Sequence, residues 1–223
     1  PLINIKAEHY AIVFAGGHAN EDDSRGESEF WYDMFDAYKD LIRNQNYTHE
    51  NIFFFYGDGT PFTTSKYAEY RPSAYGWSDI VDYSVKSHDD IEDAFMEIAD
   101  VITDDDNLLI RWSSHGGPDK DPNDPSEDLI CLDCYHASIF DTSASKSYEI
   151  DDEELVRIVN LVDNYKRRKI IWETCYSGCL VVGDVNLNND NTVVLTATEF
   201  NQTSGYYWGT GEGHQPYHAD FNY

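Results

Sequence analysis

Short apolar runs recur along the chain and are bounded by glycine and polar turn residues. They occupy residues 10–15, 52–56, 108–112, 170–172 and 192–197, and the first run ends at Gly16-Gly17. Apolar runs of this kind fit strands that are buried on both faces of a sheet. The pattern therefore predicts the strands of one central sheet.

Between these runs, apolar side chains recur every three or four positions, as on the buried face of a helix. Such segments extend from Phe30 to Ile42, from Ile91 to Ile102 and from Leu155 to Val162. Strands that alternate with amphipathic helices form mostly parallel sheets with helices on both faces. We therefore predict an α/β fold, and we interpret residues 1–223 as a single domain.

Two segments interrupt the alternation. Residues 57–87 are rich in Tyr, Ser, Pro and Gly, and residues 116–148 are rich in Asp, Pro and Ser. Both are predicted to be long loops. Loops of such length within a compact domain are usually functional or mobile.

The charge balance excludes some classes of partner. The chain has 42 acidic and 15 basic residues, which gives a formal net charge of −27 at pH 7. Such a chain repels phosphate backbones and anionic membranes, so we expect no nucleic acid partner. No stretch approaches the ~20 consecutive apolar residues that cross a bilayer, so we expect no membrane insertion. The charge fits an extracytoplasmic or secreted setting, and it fits a strongly solvated surface equally well.

Reactive side chains follow two of the predicted strands. His115 comes after the run at 108–112, and Cys175 comes after the run at 170–172. Ligands of open parallel sheets collect at the carboxyl ends of the strands, so we expect both side chains at one edge. An imidazole beside a thiol can take its proton and make it a nucleophile.

Glycine follows each of these residues closely. Gly116 lets the backbone approach a substrate, and the amides of Gly116 and Cys175 are candidates to bind a developing oxyanion. Each residue taken alone also fits a structural role, because cysteine is often buried and a histidine at a strand end is often only hydrogen-bonded. Their joint placement is what favours catalysis.

The segments around these residues resemble two sequence blocks of the legumain family of cysteine peptidases, which also contains the catalytic subunit of the GPI-anchor transamidase. The blocks are His-Gly and Glu-x-Cys-x-Ser-Gly, and here they read Ser114-His115-Gly116-Gly117 and Glu173-Thr174-Cys175-Tyr176-Ser177-Gly178. Further similarity covers the first strand, Ala37-Tyr38 and Thr196-Ala197-Thr198. The resemblance implies a caspase-like fold and a cysteine endopeptidase that acts through a thioester acyl-enzyme.

The resemblance also implies residue roles. Cys175 would be the nucleophile and His115 the base, while Glu173 and Ser204 fall on residues that line the family's primary specificity pocket. The family's Arg-His pair is not matched, because Glu29 and Phe30 stand at those positions. We therefore hypothesise that Glu173, with Glu29, makes the pocket acidic, so that the residue before the cleaved bond is Arg or Lys rather than Asn or Asp.

Other motifs give weaker signals. Acidic residues crowd positions 119–128, and Asp184, Asn186, Asn188 and Asp190 imitate the start of a calcium loop. Solvated acidic loops explain both segments more simply, so calcium is a secondary hypothesis and no cofactor is required. Cys131 and Cys134 have a CxxC spacing without a second pair, which supports zinc only weakly.

Two alternative functions remain open. A transpeptidase or transamidase would use the same His115 and Cys175 but resolve the acyl-enzyme with an amine instead of water. An inactive caspase-fold module would use its acidic loops to hold calcium or a basic protein. The peptidase is the principal hypothesis, with a peptide or protein as its substrate.

Overall fold

The computed structural model describes residues 7–16, 29–63, 67–118, 135–142, 146–182, 186–199, 202–207 and 218–220. Within these ranges the chain forms four α-helices and ten strands. The helices are α1 (Glu29–Asn44), α2 (His88–Ala99), α3 (Asp152–Val159) and α4 (Cys179–Val182). The strands are β1 (His9–Ala15), β2 (Ile52–Tyr56), β3 (Asn107–Ser113), β4 (Gly116–Pro118), β5 (Tyr135–Thr142), β6 (Lys146–Asp151), β7 (Arg167–Glu173), β8 (Thr192–Thr196), β9 (Gly205–Tyr207) and β10 (His218–Asp220).

Five strands form the central sheet, in the order β2-β1-β3-β7-β8. All four pairings between neighbours are parallel. The five apolar runs of the sequence supply these five strands, with ends that differ by three residues at most. The predicted α/β class with a mostly parallel sheet and helices on both faces is confirmed, and the arrangement is consistent with a caspase-like fold.

The crossovers decide which helix lies on which face. A crossover between parallel strands is right-handed, so its direction along the sheet fixes the face on which its helix lies. Only the β1-to-β2 connection moves toward the β2 edge, and its helix α1 packs against one face through Trp31 and Phe35. The connections to β3, β7 and β8 move the other way, and α2, α3 and α4 all pack on the opposite face.

Helix starts follow the local sequence. The Ser87 hydroxyl caps α2 by accepting a hydrogen bond of 3.1 Å from the Asp90 amide. The Asp151 carboxylate caps α3 by accepting one of 2.8 Å from the Glu154 amide. Short polar side chains at this position satisfy amides that the helix itself leaves unpaired.

The prediction of a continuous long loop at residues 116–148 is wrong in part. Strands β4, β5 and β6 form a small antiparallel sheet in that order. Residues 135–142 and 146–151 mix polar and apolar side chains, as expected for strands with one exposed face, and this pattern is weaker than a fully apolar run. The sheet extends directly from the end of β3, so it continues the edge that carries His115.

A search of the described helices finds none that is both long enough and apolar enough to cross a bilayer.

Candidate active site

The ends of β3 and β7 bring His115 and Cys175 to the same edge of the sheet. The two strands are neighbours, and Ser113 of β3 pairs with Glu173 of β7. The Ser114 amide extends this contact by donating to the Glu173 carbonyl at 3.4 Å. His115 and Cys175 each stand two positions beyond that pair. The predicted meeting of the two strand ends is therefore present.

Hydrogen bonds fix the backbone that carries His115. The buried Ser114 hydroxyl accepts a hydrogen bond of 2.9 Å from the Trp112 indole N–H. The same hydroxyl donates to the His115 carbonyl at 3.0 Å. Phe30 of α1 meets the exposed imidazole edge-on, with 4.8 Å between ring centroids. The ring is thus open to solvent while its main chain is anchored in the core.

A buried hydroxyl network anchors the loop that carries Cys175. The Ser177 amide donates to the Thr198 hydroxyl at 3.1 Å, and the Thr198 amide donates back to the Ser177 hydroxyl at 3.2 Å. The Thr198 hydroxyl also donates to the Thr174 carbonyl at 3.4 Å. Reciprocal bonds of this kind tie the loop after β7 to the chain after β8 and limit its movement.

Tyr176, directly after the candidate nucleophile, has a left-handed backbone with a φ of 57°. A side chain other than glycine is strained there, so the contacts around it must hold this conformation. One such contact is the Tyr176 amide, which donates to the Gln202 carbonyl at 2.7 Å.

Ser204 lies directly against the Cys175 sulfur. Its hydroxyl oxygen is 3.2 Å from Sγ, and its backbone amide donates to Sγ at 3.3 Å. The thiol is only partly buried and makes no disulfide. The sequence resemblance implies that Ser204 lines a specificity pocket, whereas in the structure Ser204 contacts the thiol itself.

Glu173 is buried and paired with a cation of its own chain. Both carboxylate oxygens accept hydrogen bonds of 3.0 Å from Arg111, and Glu173 is only 4% exposed. Burial raises the pKa of Glu173, and the attraction of Arg111 partly offsets this effect. Burial tends to lower the pKa of Arg111, but its attraction to Glu173 outweighs that and the pKa is raised. Two parallel N–H···O bonds are the geometry of an ionised pair.

This pairing changes the expectation for the specificity pocket. The hypothesis of an acidic pocket needs a carboxylate that is free to bind a cationic side chain, and Arg111 already takes both oxygens of Glu173. Glu173 therefore gives no physical reason to expect a preference for Arg or Lys. Arg111 itself was missed by sequence reasoning, although a charged residue inside an apolar strand is a signal that asks for a partner.

For the other two predicted site residues, Gly116 and Glu29, the structure gives the position in the backbone. Gly116 is the first residue of β4 and pairs with Ala137 of β5. Glu29 is the first residue of α1. The structure also shows a cavity of about 500 Å³ beside the Cys175 loop, lined in part by Gly178, Val181 and Gln202.

The metal hypotheses fall largely outside the described residues. Positions 119–128, Cys131, Cys134 and Asp184 all lie outside them. A search of the residues that are described finds no group of three or more His, Cys, Asp or Glu side chains able to hold a metal ion.

Comparison with known proteins adds a distant similarity in fold. No protein-family model matches the chain, and no curated protein matches it. Among solved structures, the chain is similar to the crystal structure of protein GSU0716 from Geobacter sulfurreducens, with a TM-score of 0.42 and 15% sequence identity. The match covers 75% of this chain and 50% of that one, so the matched region is about half the length of that protein. This similarity carries no information on activity.

Proposed function

We propose that this chain is a cysteine endopeptidase of the legumain type, with Cys175 as nucleophile and His115 as general base. The single observation that supports it best is the pairing of β3 with β7, because it puts both residues two positions beyond the paired Ser113 and Glu173. The partial exposure of both side chains is a second support, since a substrate must reach them. The caspase-like fold and the legumain resemblance remain part of this proposal.

The reaction would proceed in two stages. The Cys175 sulfur attacks the carbonyl carbon of the substrate peptide bond while His115 takes the thiol proton. The C–N bond then breaks, His115 gives the proton to the leaving amine, and a thioester remains on Cys175. In the second stage His115 deprotonates a water molecule, which attacks the thioester and releases a carboxylic acid. The proton returns to the sulfur.

The neighbouring groups have roles that follow from their contacts. The amides of Gly116 and Cys175 would bind the oxyanion that develops on the attacked carbonyl. Ser204 would orient the thiol, because its amide and hydroxyl both contact Sγ. The cavity beside Gly178 and Gln202 offers space for a substrate side chain. The residue before the cleaved bond would be polar or charged, either Asn/Asp or Arg/Lys.

Covalent labelling tests the nucleophile directly. A peptidyl acyloxymethyl ketone should modify Cys175, as located by mass spectrometry of the digested protein. Cys175→Ala should abolish this label, and His115→Ala should slow labelling by about 100-fold or more. Cys179→Ala is the matched control, because Cys179 is a buried thiol four residues later, at the start of α4, and this variant should label normally. Labelling that survives Cys175→Ala would contradict the proposal.

Product analysis separates the alternatives. Cleavage of a peptide substrate with and without an added nucleophilic peptide distinguishes hydrolysis from transpeptidation. Hydrolysed product alone supports the peptidase, and ligated product supports the transamidase. A folded protein that neither labels nor cleaves, yet binds calcium or a basic protein, would instead be the inactive module.

A further inference from the structure

One face of the central sheet has no helix over β7 and β8 among the elements that the structure describes. Helix α1 packs on this face, where its buried side chains lie against β1 and β2 and the helix also reaches β3. The other three helices lie on the opposite face because their crossovers all run toward the β8 edge. Parallel sheets are normally covered on both faces. Within the described part of the chain, this side of β7 and β8 is therefore not covered by a helix.

The side chains on this surface are largely apolar and adjacent to one another. Ile171 pairs in register with Leu195, and Lys169 pairs with Val193. Val193 is 58% exposed and Leu195 is 44% exposed. We call Lys169, Ile171, Val193 and Leu195 the β7–β8 face. A groove of about 590 Å³ runs between α1 and the amino-terminal part of the β7–β8 face. Adjacent exposed apolar side chains, unlike scattered ones, indicate an interaction surface.

This surface carries exposed cations although the chain as a whole is acidic, and the groove beside it also contains the carboxylates of Asp40 and Asp190. Arg167 and Lys169 both line the groove, and neither makes an ion pair with a carboxylate in the part of the chain that is described. The whole chain carries −27. Arg167 and Lys169 beside an apolar strip fit a helix that has carboxylates along one flank.

We propose that the β7–β8 face docks an amphipathic helix of a partner protein, with carboxylates along one flank of the helix. Its apolar side chains would cover Ile171, Val193 and Leu195, and its carboxylates would pair with Arg167 and Lys169. The helix would lie beside α1 and fill the groove between α1 and the sheet. A second copy of this chain fits less well, because two molecules that each carry −27 repel one another. The proposal does not depend on peptidase activity.

A defined probe tests this inference. The sequence of residues 87–100, SHDDIEDAFMEIAD, has the required apolar stripe and acidic flank. We would use it as a fluorescent synthetic peptide that a hydrocarbon staple holds helical, because so short a helix is unstable in water. The staple uses no carboxylate, so the same link can be built into the control. The control peptide has every Asp and Glu replaced by Asn and Gln. Fluorescence anisotropy should show saturable binding, with the acidic peptide about tenfold tighter than the neutral one.

Variants of the protein locate the binding. Val193→Asp and Leu195→Asp should each weaken binding by about tenfold or more, because they put a charge into the apolar contact. Val101→Asp is the matched control. Val101 is 47% exposed, but it lies just after the end of α2 and not on the β7–β8 face, so this variant should bind the peptide normally. Lys169→Gln should remove much of the preference for the acidic peptide. Circular dichroism confirms that each variant is folded.

Several outcomes would overturn the proposal. One is the absence of saturable binding at about 1 mM peptide, which would leave an affinity too weak for a specific contact. Another is equal binding of the acidic and neutral peptides, and a third is equal weakening by Val101→Asp and Val193→Asp. A protein dimer in sedimentation that Val193→Asp dissociates would assign the face to a second copy instead.

Discussion

Arg111 and Glu173 are joined across β3 and β7 by two hydrogen bonds, from Nε to Oε2 and from Nη2 to Oε1, each 3.0 Å long. Glu173 is the last residue of β7, two positions before Cys175. The pair therefore lies directly under the loop that carries the candidate nucleophile. It links the stability of the strand edge to the electrostatics of the candidate site.

Removing Arg111 should make stability depend more strongly on pH. Burial raises the pKa of Glu173 and Arg111 lowers it, so Arg111→Met raises the folded-state pKa further above the unfolded value. An acid with a raised folded-state pKa stabilises the fold at low pH, and this stability is lost as the pH rises. The free energy of unfolding of Arg111→Met should therefore fall further below that of the wild type between pH 5 and pH 8, and the difference should reach about 3 kcal/mol. Urea unfolding at both pH values measures it.

The double variant Arg111→Met with Glu173→Gln is the control for this prediction. It has no buried carboxylate at this position, so at pH 8 its free energy of unfolding should be lowered less than that of Arg111→Met, and it should lack the pH dependence that Glu173 causes. An equal pH dependence in the single and double variants would show that another group is responsible.

Arg111 should also control substrate preference, if the proposed peptidase is correct. In Arg111→Met the carboxylate of Glu173 is free to bind a cationic side chain, so the ratio of kcat/KM for Arg and Lys peptides to that for Asn and Asp peptides should rise about tenfold. Four fluorogenic peptides that differ only in the residue before the cleaved bond measure this ratio. A wild-type enzyme that already prefers Arg would show that Glu173 is not the determinant.

Ser114→Ala should reduce activity by releasing the backbone of His115. The variant loses the hydrogen bond to the His115 carbonyl and leaves the buried Trp112 indole N–H without this acceptor. We expect kcat/KM to fall about tenfold and the free energy of unfolding to fall by about 1–3 kcal/mol. Ser78→Ala, at an exposed serine, is the matched control and should change neither quantity.

Tyr176 should tolerate glycine better than a β-branched residue. Its φ of 57° is open to glycine and unfavourable for valine. Tyr176→Val should therefore destabilise the protein by at least about 1 kcal/mol more than Tyr176→Gly, although valine keeps more apolar surface. Thermal unfolding of the two variants tests this order, and a more stable valine variant would show that the loop adopts another conformation.

Arg168 should not be replaceable by lysine. It is 2% exposed and donates to Thr192 Oγ1, the Val159 carbonyl and Asn160 Oδ1. Burial lowers its pKa. A lysine keeps the charge but cannot reproduce the planar set of donors. Arg168→Lys should therefore lower the free energy of unfolding, measured with a chemical denaturant, by about 2–4 kcal/mol. Arg167→Lys, at the exposed neighbouring position, should have a free energy of unfolding within about 0.5 kcal/mol of the wild-type value.

The strands of the central sheet could be predicted because their apolar runs are strong local signals. His115 and Cys175 could be predicted as partners at one edge, because parallel strands end at the same side of a sheet. The pairing of Arg111 with Glu173 could not, since it joins residues 62 positions apart and depends on β3 and β7 being neighbours. The contact of Ser204 with the Cys175 sulfur depends in the same way on how the chain returns after β8.

The small sheet of β4, β5 and β6 was missed for a different reason. Antiparallel strands with one exposed face carry polar side chains at alternate positions, so their composition resembles that of a loop. The site residues that sequence reasoning found are those with reactive groups. Those it missed, such as Ser114 and Thr198, are small hydroxyl residues whose importance comes only from buried hydrogen bonds.

The aromatic side chains beneath the candidate site form a continuous column. Phe14 stacks on Trp112 with 3.4 Å between centroids, and Trp112 stacks on Trp172 with 4.4 Å between them. Two indoles at that separation couple their electronic transitions, so their near-ultraviolet circular dichroism signal depends on how the two rings are oriented to each other. Because Trp112 and Trp172 lie in the strands that lead to His115 and Cys175, this signal is an intrinsic optical reporter of whether the two strand ends are still in register.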